Sequence, residues 1–527
     1  MKQTRKPPRL STETAPSRPN TLAVIEIGTT SIRMEIAQIG RGGRFNVLEA
    51  VQQAVSLGKD AFTKGSFDRE TIEECVHALR SFHRLLEEYG VTDPRQITAI
   101  ATSAAREASN REALLDRIYI ATGIEVKIID EAEVSRFTYH AVRATLEREP
   151  FWRKTDTLVV EVGGGSTEVL TFQRGRVGHT QMYRLGSLRL RKMLEDAKVP
   201  VARMREIMQS QIDGIVGQIV DGMPRRGRLT VLALGGDARL ACAQLAPDSD
   251  RRGLVRLPVR SLARLAGDAL RLSVDELVQR YGIAYPDAET LGPALLFYLR
   301  LARAARLNSL LVGQATLRHG VLVELATAGS WTEEFRKQII ASAIEMGRKF
   351  AVDPHHAQYV ASLSRSLFRL LHDEHHLDPR YELILHTAAL LHEAGQYIGR
   401  SSHHKHSMYV IMHSDLFGLG AEDLLLTALV ARYHRRALPM PSHEYYASLD
   451  RNGRILVSKL AAILRVADAL DCGHAQRLSA PDLRIDGSRL VITARETGSL
   501  AVEQHRLREK SQMFEQVYGM TAVLQGG

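Results

Sequence analysis

The stretch TLVVEVGGGSTEVLTF, residues 157–172, decides how this chain is read. An apolar run at 158–160 meets a carboxylate, Glu161, one more apolar residue, and then Gly163, Gly164 and Gly165. Ser166, Thr167 and Glu168 follow, and 169–172 alternates at period two. The pattern is a strand, a tight turn and a second strand. The same order appears earlier in TLAVIEIGTTSIRMEI, residues 21–36, where Glu26, Ile27, Gly28, Thr29, Thr30 and Ser31 precede another alternating run. Glu26 and Glu161 stand 135 residues apart. A repeated hairpin of this kind predicts two similar lobes whose turns face a common cleft.

Around the hairpins the pattern is α/β. Residues 67–89 have helical spacing, 97–101 form a short apolar strand leading into TSAAR, and 126–129 form another strand before a helix from Glu131 to about Glu147. A third glycine turn, Leu234-Gly235-Gly236-Asp237, follows a strand at 229–234. From about Trp331 the texture becomes all-helical, and fourteen of the twenty histidines fall between His355 and His474. Two short strands, 483–485 and 490–493, and a last strand–helix stretch predict a small α+β cap. The expected organisation is a basic disordered tail (1–20), lobe I (21–145), lobe II (146–330), a helical domain (331–480) and the C-terminal cap (481–527).

With 527 residues, 44% hydrophobic and 25% charged, the chain is expected to be globular, neither disordered nor fibrous. No run approaches the ~18–20 apolar residues of a membrane span. The first twenty residues are basic without an apolar core, so no secretory leader is expected. Cys75, Cys242 and Cys472 are odd in number and far apart, which points to a reducing cytoplasm. Seventy Lys and Arg against sixty Asp and Glu favour anionic partners. No signature of specific nucleic-acid recognition is present.

Glycine and hydroxyl turns let backbone N–H groups approach phosphate oxygens, and Ser and Thr add donors. This makes Gly28, Thr29, Thr30, Ser31, Gly163, Gly164, Gly165, Ser166, Thr167, Gly235 and Gly236 candidate phosphate-binding residues. A carboxylate before each turn, Glu26 or Glu161, can hold Mg²⁺ through water. Arg106 can clasp phosphate bidentately. Hydrolysis of a phosphoanhydride needs a base for water, and Glu133 and Glu168 are the candidates. Glu133 also fits a helix capping box with Asp130 as N-cap, and Glu168 also fits an exposed strand position. In the helical half, His356, His392-Glu393 and Asp468 form a ligand set for a divalent metal, or else partly buried polar residues.

These motifs resemble the exopolyphosphatase / guanosine pentaphosphate phosphohydrolase (Ppx/GppA) family, within the actin-like ATPase superfamily. EIGTTS (26–31), ATSAAR (101–106), GGGSTE (163–168), LGSLRL (185–190) and LRHGV (317–321) occur in the family's order. LLHEAG (390–395), HHKHS (403–407), RYHR (432–435) and LRVADALD (464–471) resemble the HD-like domain of its long members. The resemblance spans about residues 21–520. It implies two actin-like, ribonuclease H-like lobes, then an all-helical HD-like domain and the α+β cap. It implies an exopolyphosphatase using Mg²⁺ or Mn²⁺, with a second divalent metal at His356, His392, Glu393 and Asp468. Glu133 would be the general base and Glu168 the water or metal positioner, with the reverse assignment open. Inorganic polyphosphate is the implied substrate, guanosine polyphosphates substrate or inhibitor, and a homodimer the implied assembly.

The departures from the family pattern set the alternatives. Glutamates 26 and 161 stand where the family usually has aspartates, and Thr30 where asparagine is common. Val134 replaces the second of two glutamates, Asp237 a threonine, Asp287 an arginine, and Glu393 the aspartate of an HD pair. A guanosine pentaphosphate phosphohydrolase and a non-catalytic polyphosphate or guanosine polyphosphate sensor therefore stand beside the exopolyphosphatase reading. An actin-like kinase ranks below them.

Overall fold

The computed structural model describes residues 21–40, 44–223, 228–249, 253–327, 331–435, 437–478, 481–494 and 499–526. The tail expected at 1–20 lies outside them. In the first lobe, β1 (Thr21–Ile27) pairs antiparallel with β2 (Ser31–Ile39), which pairs antiparallel with β3 (Phe45–Ala54). On the other side of β1, β4 (Ile97–Ala101) and β5 (Val126–Ile128) run parallel to it, giving the order β3-β2-β1-β4-β5.

The second lobe repeats this plan. β6 (Asp156–Val162), β7 (Thr167–Gln173) and β8 (Arg176–Tyr183) form the antiparallel meander. β9 (Leu229–Leu234) lies parallel to β6, β10 (Val255–Pro258) follows in the chain, and β11 (Ser309–Val312) lies parallel to β9. The order is β10-β11-β9-β6-β7-β8, so β8-β7-β6-β9-β11 matches the first sheet and β10 is an added antiparallel edge.

The central strands are apolar on both faces because both are covered. Ala23, Ile25 and Ile27 pack toward the helix Arg69–Glu88, while Val24 joins Ile100, Phe137 and Leu317 on the opposite face. Two helices bind the lobes together, Glu131–Leu146 and Leu317–Ala326. They approach so closely that a Cβ on Gly320 would lie 2.0 Å from the Phe137 carbonyl oxygen. The Tyr298 hydroxyl donates to Leu234 O at 2.6 Å and accepts from Val162 N–H at 2.9 Å, pinning the ends of β9 and β6 where their turns emerge.

Beyond Trp331 the described chain is helical through Ala469, including Glu333–Lys349, Pro354–Leu370, Tyr381–Leu391, His403–Met412, Ala421–Arg432 and Arg451–Ala469. Its apolar core is continuous with that of the second lobe. Tyr139 meets Phe335 and Phe417 at centroid distances of 5.6 and 5.4 Å. β12 (Asp482–Asp486), β13 (Arg489–Ala494) and β14 (Thr521–Gly526) close the chain as a small sheet, with β13 parallel to β14. Among the described residues no helix is long and apolar enough to cross a membrane.

Candidate active site between the lobes

The two hairpin turns have the same geometry. Gly28 N–H donates to Ser31 O at 3.0 Å, and Gly163 N–H donates to Ser166 O at 2.9 Å. The turns nearly touch, because a Cβ on Gly164 would lie 2.2 Å from Thr29 Oγ1. Gly186 backs them, and a Cβ there would lie 2.5 Å from the Gly164 carbonyl. The amide N–H groups of Thr29, Thr30, Gly164, Gly165 and Ser166 donate to no described protein group. Unclaimed donors on two opposed turns form a concave nest for anions.

The cleft is lined by Gly28, Thr29, Thr30, Arg106, Gly163, Gly164, Gly165, Ser166, Gly235 and Gly236, together with Glu26, Glu161 and Glu168. Arg106 stands on the short helix Ser103–Glu107, its Nη1 donating to Ile129 O at 2.7 Å. Two expected phosphate ligands turn away. Thr167 is fully buried on the other face of β7 from Glu168, and its hydroxyl donates to Leu185 O at 2.6 Å. Ser31 closes its turn through its carbonyl, while its hydroxyl is buried off the cleft wall without a partner.

Glu133, expected as the general base, stands outside the cleft lining and is held by its own helix start. Asp130 caps the helix by accepting from Glu133 N–H at 2.8 Å, and Glu133 Oε2 accepts from Asp130 N–H at 3.1 Å. Glu133 Oε1 takes Lys127 Nζ at 2.6 Å. Both oxygens are engaged in the capping box and ion pair, and the residue lies outside the cleft lining. The next residue, about 100° further round the helix, faces the cleft, and it is Val134.

Glu168 does face the cleft. Its Oε2 accepts from Thr138 Oγ1 at 2.7 Å, and its Oε1 is buried without a partner. Burial pushes its carboxyl up to about 7, with Glu161 adding to the effect against the Thr138 hydrogen bond. Glu161 is also raised by burial and by neighbouring Glu26. Among the described residues no hydrogen bond or ion pair holds its carboxylate.

Glu26 differs. Burial would raise it, but Arg318 and Arg33 outweigh that and hold it below the usual carboxylate range. Arg318 pairs with Glu26 and with Glu35, the latter at 2.8 Å, and Arg33 lies 3.7 Å from Glu26. Asp237 and Asp287 complete the acidic wall, and burial pushes Asp237 up to about 7.

Arg33 was not singled out from sequence. It sits opposite Glu26 in the β1–β2 register, as Glu168 sits opposite Glu161 in β6–β7, so extending the repeat by two residues would have found it.

In the helical unit the expected set also converges. His356 Nε2 lies 4.0 Å from Glu393 Oε2 and 3.7 Å from Asp468 Oδ1, and His392 Nε2 lies 3.7 Å from the same Asp468 oxygen.

Two lobes of the same strand order that oppose glycine turns across a carboxylate-lined cleft define an actin-like α/β fold. The Ppx/GppA phosphatase family model matches residues 35–328, and the model of its domain III matches 340–513. The chain belongs to this family, whose members are hydrolases of phosphoanhydrides. It is 23% identical over 446 residues to guanosine-5'-triphosphate,3'-diphosphate pyrophosphatase of Photobacterium profundum, covering 84% of this chain and 86% of that protein. The crystal structure of an exopolyphosphatase from Cytophaga hutchinsonii matches with a TM-score of 0.52 at 22% identity, over 58% of this chain and 98% of that one. An exopolyphosphatase-like protein of known structure matches with a TM-score of 0.50 at 21% identity, over 59% of this chain and 100% of that one.

Proposed function

We propose that the interlobe cleft removes the terminal phosphate of inorganic polyphosphate, releasing orthophosphate. The observation that carries this reading is a buried glutamate, Glu168, beside opposed turns with unclaimed N–H groups. Those donors and Arg106 would hold the terminal phosphoryl oxygens. Glu168 would take a proton from the attacking water as its oxygen bonds to phosphorus. The bridging P–O bond breaks, and the shortened chain leaves with that electron pair. A group poised near neutral pH suits this exchange.

Magnesium fits the residues present. Glu161 is a buried carboxylate whose charge Arg239 offsets only in part, whereas Glu26 is already neutralised by two guanidinium groups. When bound, Mg²⁺ would neutralise negative charge on the phosphoryl oxygens. Mn²⁺ shares this oxygen-ligand chemistry.

Guanosine pentaphosphate is the alternative substrate, supported by the pyrophosphatase relative. A second reading, a sensor that binds such anions without turnover, is favoured by one observation. The cleft-facing position on the entering helix is apolar Val134, so Glu168 stands without a second glutamate from that helix. The test is Mg²⁺-dependent phosphate release from long-chain polyphosphate, with guanosine pentaphosphate as competitor. Release abolished in Glu168→Gln supports the hydrolase. Tight binding without release by wild type, under Mg²⁺ or Mn²⁺, leaves the sensor.

A further inference from the structure

Glu168 is held from outside its own strand. Its Oε2 accepts from the Thr138 hydroxyl at 2.7 Å, and both side chains are buried. Thr138 stands on the helix Glu131–Leu146, which follows the first sheet in the chain, whereas Glu168 lies at the start of β7 in the second. The bond therefore crosses between the lobes. Ser135, one turn earlier on the same helix face, also reaches that carboxyl, more weakly. A helical threonine hydroxyl can bond the carbonyl three or four residues back. This one is directed at a carboxylate in the other lobe, and its branched Cβ lets the helix backbone set that direction.

The phase of the helix is fixed at two points. At its start, Asp130 Oδ1 accepts from Glu133 N–H at 2.8 Å, while Oδ2 accepts from Ala421 N–H at 2.7 Å. Ala421 begins the helix Ala421–Arg432 of the helical unit, so one carboxylate caps two helices. Gly420 permits the approach, because a Cβ there would lie 3.1 Å from Asp130 Oδ2. Two turns on, the Phe137 carbonyl lies against Gly320. A rotation that took Thr138 off Glu168 would break both contacts.

The consequence concerns the two carboxyl oxygens. Oε2 is occupied, and Oε1, buried without a partner, is the oxygen left to take a proton from water. The hydroxyl can stay on Oε2 once Oε1 is protonated, because the carbonyl oxygen of a carboxylic acid still accepts. The carboxyl then keeps one orientation through the transfer. Without the hydroxyl it is free to turn about its last torsion, which is broad and roughly two-fold.

We propose that Thr138 is the positioning residue for Glu168, fixing Oε2 from the lobe-joining helix so that Oε1 receives the proton of the attacking water. This role rests on the hydrolase reading of the cleft.

The test measures Mg²⁺-dependent phosphate release from long-chain polyphosphate by the full chain and its variants. Thr138→Val keeps the side-chain shape and removes the hydroxyl. Its kcat should fall by about 10–10²-fold with KM within about twofold of wild type, since the turn donors and Arg106 are untouched. Thr138→Ser returns the hydroxyl and most of kcat. Added to Glu168→Gln, Thr138→Val should slow release by less than about twofold further, because the carboxylate it acts through is gone. Far-UV circular dichroism checks each fold, and Thr138→Ala replaces Thr138→Val should the latter fail to fold. Wild-type kcat in Thr138→Val, or equal losses in Thr138→Val and Thr138→Ser, overturns the positioning role and leaves Glu168 as the base. A full additional loss on top of Glu168→Gln marks a merely structural residue and overturns it too. Undiminished release by Glu168→Gln, or none by wild type, overturns the hydrolase reading itself and the role of Thr138 with it.

Discussion

Replacing Glu168 with glutamine separates the chemical role of this carboxyl from its structural cost. Burial raises it from 4.5 to about 7. A group whose folded pKa lies above its unfolded value binds more protons when folded. Its contribution therefore favours the fold at low pH and is lost as pH rises from about 4.5 toward 7. At 1.36 kcal/mol per pKa unit, the full window is worth about 3 kcal/mol. Protonated glutamic acid and glutamine place similar neutral donors in the same pocket, so the two proteins should have similar stability near pH 4. By pH 8 Glu168→Gln should be the more stable by about 3 kcal/mol, while releasing phosphate at least ~10²-fold more slowly. Wild-type release should rise through about pH 7 as the base ionises. The assay pairs denaturation midpoints of both proteins at pH 4–8 with a phosphate-release profile. A stability difference that does not change with pH would refute the buried, destabilised carboxylate. A variant that still turns over would refute its role as base.

Glu133→Gln keeps an oxygen for the capping box and loses pairs with largely exposed Lys127 and with buried Arg136, which retains Glu324, so phosphate release should stay within about twofold of wild type and stability within about 2 kcal/mol. Measuring it beside Glu168→Gln tests which glutamate carries the reaction. Gly186→Ala puts a Cβ 2.5 Å from the Gly164 backbone, which must move. Release should fall by about 10²-fold with unchanged far-UV circular dichroism, because displacement of about 1 Å is enough for such a loss. Arg318→Met leaves Glu35 buried without its guanidinium and Glu26 with Arg33 alone. It should cost about 3–5 kcal/mol at neutral pH, read as a lower urea midpoint, with the Glu26 part of the loss shrinking in acid as that carboxyl protonates.

The repeated hairpin, its turn chemistry and the third glycine turn were legible because strand period and glycine placement are local properties. Helix phase was the first thing sequence could not give. Residues 133 and 134 both sit in the first turn of one helix, and only the packing of that helix shows which faces the cleft. Thr167 illustrates the same limit on a strand, where the pleat sends it away from the side that Glu168 occupies. Arg318 meets Glu26 across 292 positions, and no local pattern encodes such a pairing. The helical half looked separable by texture, but Tyr139 stacks on Phe172 of the second lobe at 6.2 Å while it contacts Phe335 and Phe417, so the two cores are continuous. At the histidine cluster, His356, His392, Glu393 and Asp468 were readable, whereas Asp471 and His474 lie beyond the end of the helix that carries Asp468 and reach His356 through the return of the chain.

The duplication explains why the two hairpins are not chemically equal. Register places Arg33 opposite Glu26 in the first and Glu168 opposite Glu161 in the second. The same two positions carry opposite charges in one hairpin and like charges in the other. In the first, Arg33 and Arg318 neutralise the glutamate and hold it ionised. In the second, two carboxyls share a buried wall and both are raised. Holding them there opposes folding at neutral pH, and nothing in the packing of β6 on β7 requires it, since an amide at either position would fill the same space. A buried charge that costs stability and adds no packing is the kind a protein keeps for its chemistry. In the proposed reaction the first hairpin would act as a clamp, contributing turn donors and a neutralised carboxylate. The second would supply the two raised carboxyls, so that proposal puts proton transfer and cation binding in the lobe that begins at β6.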